Sequence, residues 1–87
     1  MSKINTINVV PIGKEVHEGG FRIAYDSLPH NIRIEAREEI CRACFWNIGT
    51  FMTKKTGHRY FTVFEARELE KFFLAHKLNA WTGKQTK

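Results

Sequence analysis

Cys41 and Cys44 stand three apart in "CRAC", and a C-x-x-C pair is suited to two kinds of chemistry. A redox pair needs its first cysteine at a helix N-terminus, where the dipole favours thiolate. A zinc half-site needs two further ligands. Here the pair ends a helical stretch, where the dipole opposes thiolate, and His58 and His76 do not stand at finger spacing. Cysteines three apart on an apolar stripe read as small buried residues, so neither a metal nor a cofactor is expected. The histidines (His17, His30, His58 and His76) form no pattern with Ser, Cys or an acid that would support nucleophilic catalysis, and no enzyme is expected. Different chemistry is offered by "NIGTFMTKKTGHRYFT", residues 47–62, which holds Lys54, Lys55 and Arg59 and no acid. A basic stretch on a basic domain suits a polyanion, most often nucleic acid. A merely solvated surface is the plain alternative.

The charge is uneven. The chain carries a net +5. Residues 1–29 balance Lys3, Lys14 and Arg22 against Glu15, Glu18 and Asp26, so the whole excess falls in residues 30–87. Its 87 residues suffice for one small domain with a marginal core. Two cysteines are too few for a disulfide framework. Residues 1–20 have no sustained apolar run of the kind an export signal carries, and no stretch approaches the roughly 20 apolar residues of a membrane helix. A cytoplasmic protein without membrane attachment is expected.

Three elements must position the basic stretch. Residues 27–44 read as a helix that Ser27 or Asn31 can cap, with Pro29 in its first turn and Ile32, Ala36, Ile40 and Ala43 or Cys44 on one stripe. Asn47 is a good N-cap for a short helix over 48–56, which Gly57 can end in the left-handed conformation. Thr62 and Glu65 fit the capping box of a third helix. Its buried face holds Ala66, Leu69, Phe73 and either His76 or Lys77, and it ends near Leu78–Asn79. Phe61, Phe64, Phe72, Phe73 and Trp81 read as aromatic core. Ahead of these, "INTINVV" and "FRIAY" are strand candidates that could pair as a hairpin, or residues 1–26 form an extended arm. Residues 80–87 read as a flexible basic tail.

Long helix, three-residue turn, short helix, loop and long helix is the layout of a helix-turn-helix domain. Ile40 and Cys41 hold the apolar and small positions before the turn, Cys44 the next buried one, and Trp46 the plug. Asn47 is the polar cap and Phe51 the buried residue of the second helix. The chain thus resembles the small helix-turn-helix regulators of bacteria, phages and plasmids, in the lambda-repressor-like class. "FWNIGTFMTKKTG" is similar to short members with a Trp-Ser turn, a Thr-Phe pair and a closing Gly. The likeness covers residues 30–78. Two positions depart from it: Phe45 stands where the family usually has Gly, and Lys54 where it has an apolar anchor. That leaves a rotated helix, Met52, or the aliphatic stem of Lys55 to serve as anchor.

The resemblance implies a mainly α fold with a three-helix helix-turn-helix core over 27–79. It implies sequence-dependent binding of double-stranded DNA as a transcriptional regulator. Asn47, Ile48, Gly49, Thr50, Met52, Thr53 and Thr56 would face base edges, with Gly49 letting the backbone approach. Asn47 reads first as a cap, and Ile48 and Met52 read equally as core. Arg37, Arg42, Lys54, Lys55, His58 and Arg59 would contact phosphates. A homodimer is expected, with N-terminal strands as its contact. Two other readings stand beside this one: a protein-interaction module of antitoxin or phage-accessory kind, and an RNA-binding protein.

Overall fold

The computed structural model describes residues 14–86. The fold is mainly helical: β1 (Lys14–Glu15), α1 (Arg22–Asp26), α2 (His30–Cys44), α3 (Ile48–Lys55), β2 (Phe61–Thr62) and α4 (Val63–Ala75). No helix among the described residues is long and apolar enough to cross a membrane. α2 and α4 lie side by side in opposite directions, since Phe45 meets Phe64 at one end while Ile32 and His76 share a wall at the other. α1, α3 and β2 close over the pair, and Phe21 sits at the centre, fully buried among Trp46, Phe51, Phe61 and Phe73.

The N-terminal expectation is corrected in part. "FRIAY" forms α1 rather than a strand. Phe21, Ala24, Tyr25 and Leu28 are all buried, and their spacing of 0, 3, 4 and 7 is that of one helix face. The strand that does form, β1, pairs antiparallel with β2 (Lys14 opposite Thr62, Glu15 opposite Phe61). "INTINVV" lies outside the described residues. Gly20 is needed where it stands: with φ of 62°, a Cβ there would lie 2.3 Å from the Lys55 carbonyl oxygen. That contact brings the entry to α1 against the end of α3.

α2 carries the expected stripe, with Ala36, Ile40 and Cys44 buried and Ile32 packed beside them. Its start differs from expectation. Pro29 takes the N-cap position with no side-chain cap, and the Ser27 hydroxyl donates back to the Ile23 carbonyl. Tyr25 and Arg33 tie α1 to α2 instead. The Tyr25 hydroxyl donates to the Arg33 carbonyl at 2.7 Å, and the Arg33 guanidinium donates to the carbonyls of Leu28 and Asp26.

Three helices end by one device. A left-handed residue follows the helix, and the next amide reaches back five residues: Trp46 to Cys41, His58 to Thr53, and Leu78 to Phe73. The left-handed residues are Phe45, Gly57 and Lys77, with φ of 60°, 84° and 61°. α4 therefore stops at Ala75, and His76 and Lys77 are exposed, while Leu78 turns inward. The segment beyond folds back. The Asn79 side chain accepts from the amides of Trp81 and Thr82, and Leu78 bridges to Gln85. Trp81 stacks on His17 at 3.7 Å between ring centroids and donates to Glu70. Phe61 and Phe73 are core as expected, but Phe64 is half-exposed and lies against Phe45 outside it.

Phe45 holds a left-handed backbone while 85% exposed, so packing does not offset its strain. Phe45→Gly is expected to raise the unfolding free energy by about 0.5–1 kcal/mol. Phe45→Val, branched at Cβ, should lower it. Urea denaturation of the three proteins at one concentration checks the order.

Candidate nucleic-acid interface

The turn between α2 and α3 is three residues long, and each does separate work. Phe45 reverses the chain, Trp46 is buried against Phe21 and Phe61, and Asn47 caps α3 by accepting from the Thr50 amide at 2.8 Å. Trp46 carries a polar edge into this position, and a buried indole N–H needs an acceptor. It donates to Glu65 Oε2 at 2.8 Å. The other oxygen, Oε1, accepts from the Lys54 ammonium at 2.6 Å and from the Thr62 amide at 3.0 Å. The Thr62 hydroxyl in turn accepts from the Glu65 amide, completing the expected capping box. One carboxylate therefore ties together the turn, α3, β2 and α4.

This corrects the expectation for Lys54. It is 9% exposed, with its ammonium 5.4 Å from the Trp46 ring centroid and 5.8 Å from that of Phe61. Lys54 is itself the inward anchor of α3 beside Phe51. The helix is not rotated to replace it: Met52 faces outward and Lys55 lies at the flank. Lys54 has its charge balanced by Glu65 and is not a free surface cation. Burial alone would raise the Glu65 pKa. The bonds from Lys54, Thr62 and Trp46, with the charge of Lys54, outweigh that and hold it below the usual glutamate value.

The outer face of α3 presents Ile48, Gly49 and Met52, all exposed, with Thr50 and Thr53 half-buried beside them. Asn47 is exposed but its side-chain oxygen is engaged in the cap. The Thr53 hydroxyl turns back to the carbonyls of Gly49 and Thr50, and that of Thr56 to Met52 and Thr53. Their methyl groups and remaining lone pairs are what an outside molecule would meet. A Cβ on Gly49 would lie only in ordinary contact, 3.5 Å from Asn47 Oδ1. The fold does not itself require glycine there.

Cations frame this face. Lys55 runs over Tyr25 and Phe51, its ammonium 5.2 Å from the Tyr25 ring centroid, and Arg42, His58 and Arg59 are exposed. The ion pairs among the described residues involve His17, Lys54, Arg67 and Lys71; Arg42, Lys55 and Arg59 take part in none. Arg37 is half-buried on the flank of α2, its Nε without a partner. His17, Lys54, His58, Arg59 and Tyr60 also line an open polar hollow of about 690 Å³ beside the end of α3. From residue 40 to 64 the chain has no acid, and the first one after it, Glu65, faces inward.

Cys44 is buried, which pushes its thiol up to about 12, and burial raises Cys41 as well. Both are neutral thiols near pH 7. They pack, with Cys44 in the core and Cys41 at its edge.

The cap pair Thr62–Glu65 is legible in local sequence, whereas the second use of its carboxylate is not part of that pattern. A signal was available. A lysine at an apolar anchor position needs a counter-charge, and Glu65 is the next acid along the chain. Compared with protein-family models, curated proteins and solved structures, the chain matches none.

Glu65→Gln leaves the Lys54 ammonium buried without an opposite charge and is expected to cost about 2–4 kcal/mol of stability. In a Lys54→Met background the same change should cost about 1 kcal/mol or less, so a double-mutant cycle reads out the pair. Because folding depresses the Glu65 pKa, its contribution is complete above the unfolded value of about 4.3 and is lost as pH falls through the lower folded value. Thermal unfolding of the native chain should show that acid-side loss, and Glu65→Gln should flatten it.

Proposed function

We propose that this protein binds double-stranded DNA as a helix-turn-helix regulator, with α2 and α3 as the paired helices and α3 in the major groove. The observation that carries the reading is the outer face of α3. It is free of acids, has small and apolar groups along its length, and is framed by cations that no carboxylate neutralises. The arrangement separates two kinds of contact. Arg42, Lys55, His58 and Arg59 meet phosphates, supplying affinity and register. Thr50, Thr53, Ile48 and Met52 meet base edges, where their methyl groups suit thymine methyls. Thr56, at the last turn of α3, extends this row. Asn47 acts first as a cap, since its oxygen already accepts from Thr50. Arg37, on the flank of α2 with a buried Nε, adds positive potential.

Occupancy is then the mechanism. A bound protein excludes or recruits polymerase at its site, and no bond is made or broken. Gly49 fits this reading closely. Glycine inside a helix is about 0.5–1 kcal/mol worse than alanine, and the fold has room for the methyl group. The missing side chain instead lets another backbone come near.

Binding of a labelled mixed-sequence duplex, titrated across salt, tests the proposal. Affinity should fall steeply with salt, and Lys55→Ala and Arg59→Ala should each reduce the slope of log K against log salt by about 1. Lys54→Met should leave the slope unchanged. Absence of binding at low salt would overturn the reading, and tighter binding to A-form duplex or single strands would turn it to RNA. Gly49→Ala should move two readouts in opposite directions: stability rises by about 0.5–1 kcal/mol while affinity for a selected site falls about tenfold.

A further inference from the structure

A second surface lies apart from α3. Two adjoining hollows of about 200 and 210 Å³ run along the seam between α2 and α4 and share Glu39, Phe72 and His76. Their floor is apolar, with small residues, Ala43 and Ala75, beside Ile40, Leu69 and Phe72. No residue of α3 or of the 57–60 loop lines them. At the α2 end of the seam, Phe45 and Phe64 stack in the open, 85% and 50% exposed, with centroids 6.2 Å apart.

The rims differ in charge. The α2 rim carries Glu35 and Glu39 and no cation, while the α4 rim carries the His76 imidazole and Lys71, whose exposed ammonium lies 3.4 Å from Glu68 and can turn from it to a second carboxylate. The rims are also level with one another: Glu35 shares a wall with His76, Glu39 shares one with Lys71, and Phe45 touches Phe64. A two-fold axis parallel to the helices lays α4 of one copy over α2 of the other. It sets Lys71 on Glu39, His76 on Glu35 and Phe64 on Phe45, each twice, in one step. Self-complementarity of this kind is what an isologous contact requires.

We infer that a second copy of this chain docks on the α2–α4 groove, forming a four-helix contact centred on Phe72 with Lys71–Glu39 pairs at its rim. The small floor residues let the helices approach, and the strained, exposed Phe45 gains a partner. The contact leaves α3 of each copy facing outward.

Sedimentation equilibrium of the full chain without DNA tests this. A monomer–dimer equilibrium with Kd of about 1–100 µM is expected. Glu39→Lys and Lys71→Glu, both at exposed positions, should each weaken it about tenfold or more with unchanged far-UV circular dichroism. The two together should restore dimerisation to within about threefold of the native chain. A native chain that stays monomeric, a dimer indifferent to both single changes, or a double variant that does not recover would each overturn the inference. The outcome separates from the DNA reading: a monomer that still binds DNA removes only the groove, and a dimer that ignores DNA removes only the function.

Discussion

The Glu65 carboxylate is the constraint on which this structure turns. It accepts from the Lys54 ammonium, the Trp46 indole and the Thr62 amide, and those donors belong to α3, the turn before it and the start of α4. Each donor alone would be costly where it sits: a cation at 9% exposure, an indole N–H facing the core, and an orphan amide at a helix start. Gathering them on one anion satisfies all three. The orientation of α3 is thereby set by polar geometry as well as by packing of Phe51 against Phe21 and Tyr25.

That arrangement also shapes the surface. Turning the first acid after residue 39 inward leaves α3 and the following loop without negative charge, and turning Lys54 inward uses the cation that would cancel it. The remaining cations, Arg42, Lys55 and Arg59, keep their charge for the outside. The Lys55 ammonium lies over aromatic rings, which hold it without neutralising its charge. Lys54 and Lys55 are consecutive, so the structural charge and the surface charge are kept apart by the face of α3 each one takes.

The rest of the chain braces this unit from two sides. Gly20 against the end of α3 closes one side, in a contact too tight for any Cβ. On the other, β1 pairs with β2 immediately before the capping box, and Arg67 bridges Glu15 and Glu70. Trp81 completes that side by stacking on His17. A short chain gains rigidity here from residues far apart in sequence, which suits a domain too small to rely on its core alone.

The sequence by itself determined the features that act over a few residues. Asn47 and the Thr62–Glu65 box start α3 and α4, Gly57 ends α3, and the stripe of Ala36, Ile40 and Cys44 faces α2 inward. These were legible because caps and helical period are local. Only the tertiary structure decided the direction of Lys54: its place at an anchor position marks it for burial, but the carboxylate that makes burial tolerable lies 11 residues on and is brought there by the fold. It decided that "FRIAY" is helical, since Phe21 is drawn into a cluster with Phe51, Phe61 and Phe73. It also placed Phe45 and Lys77 in the left-handed region that glycine advertises and they do not. A residue held against its own preference is set by the contacts around it, and those come from the whole fold.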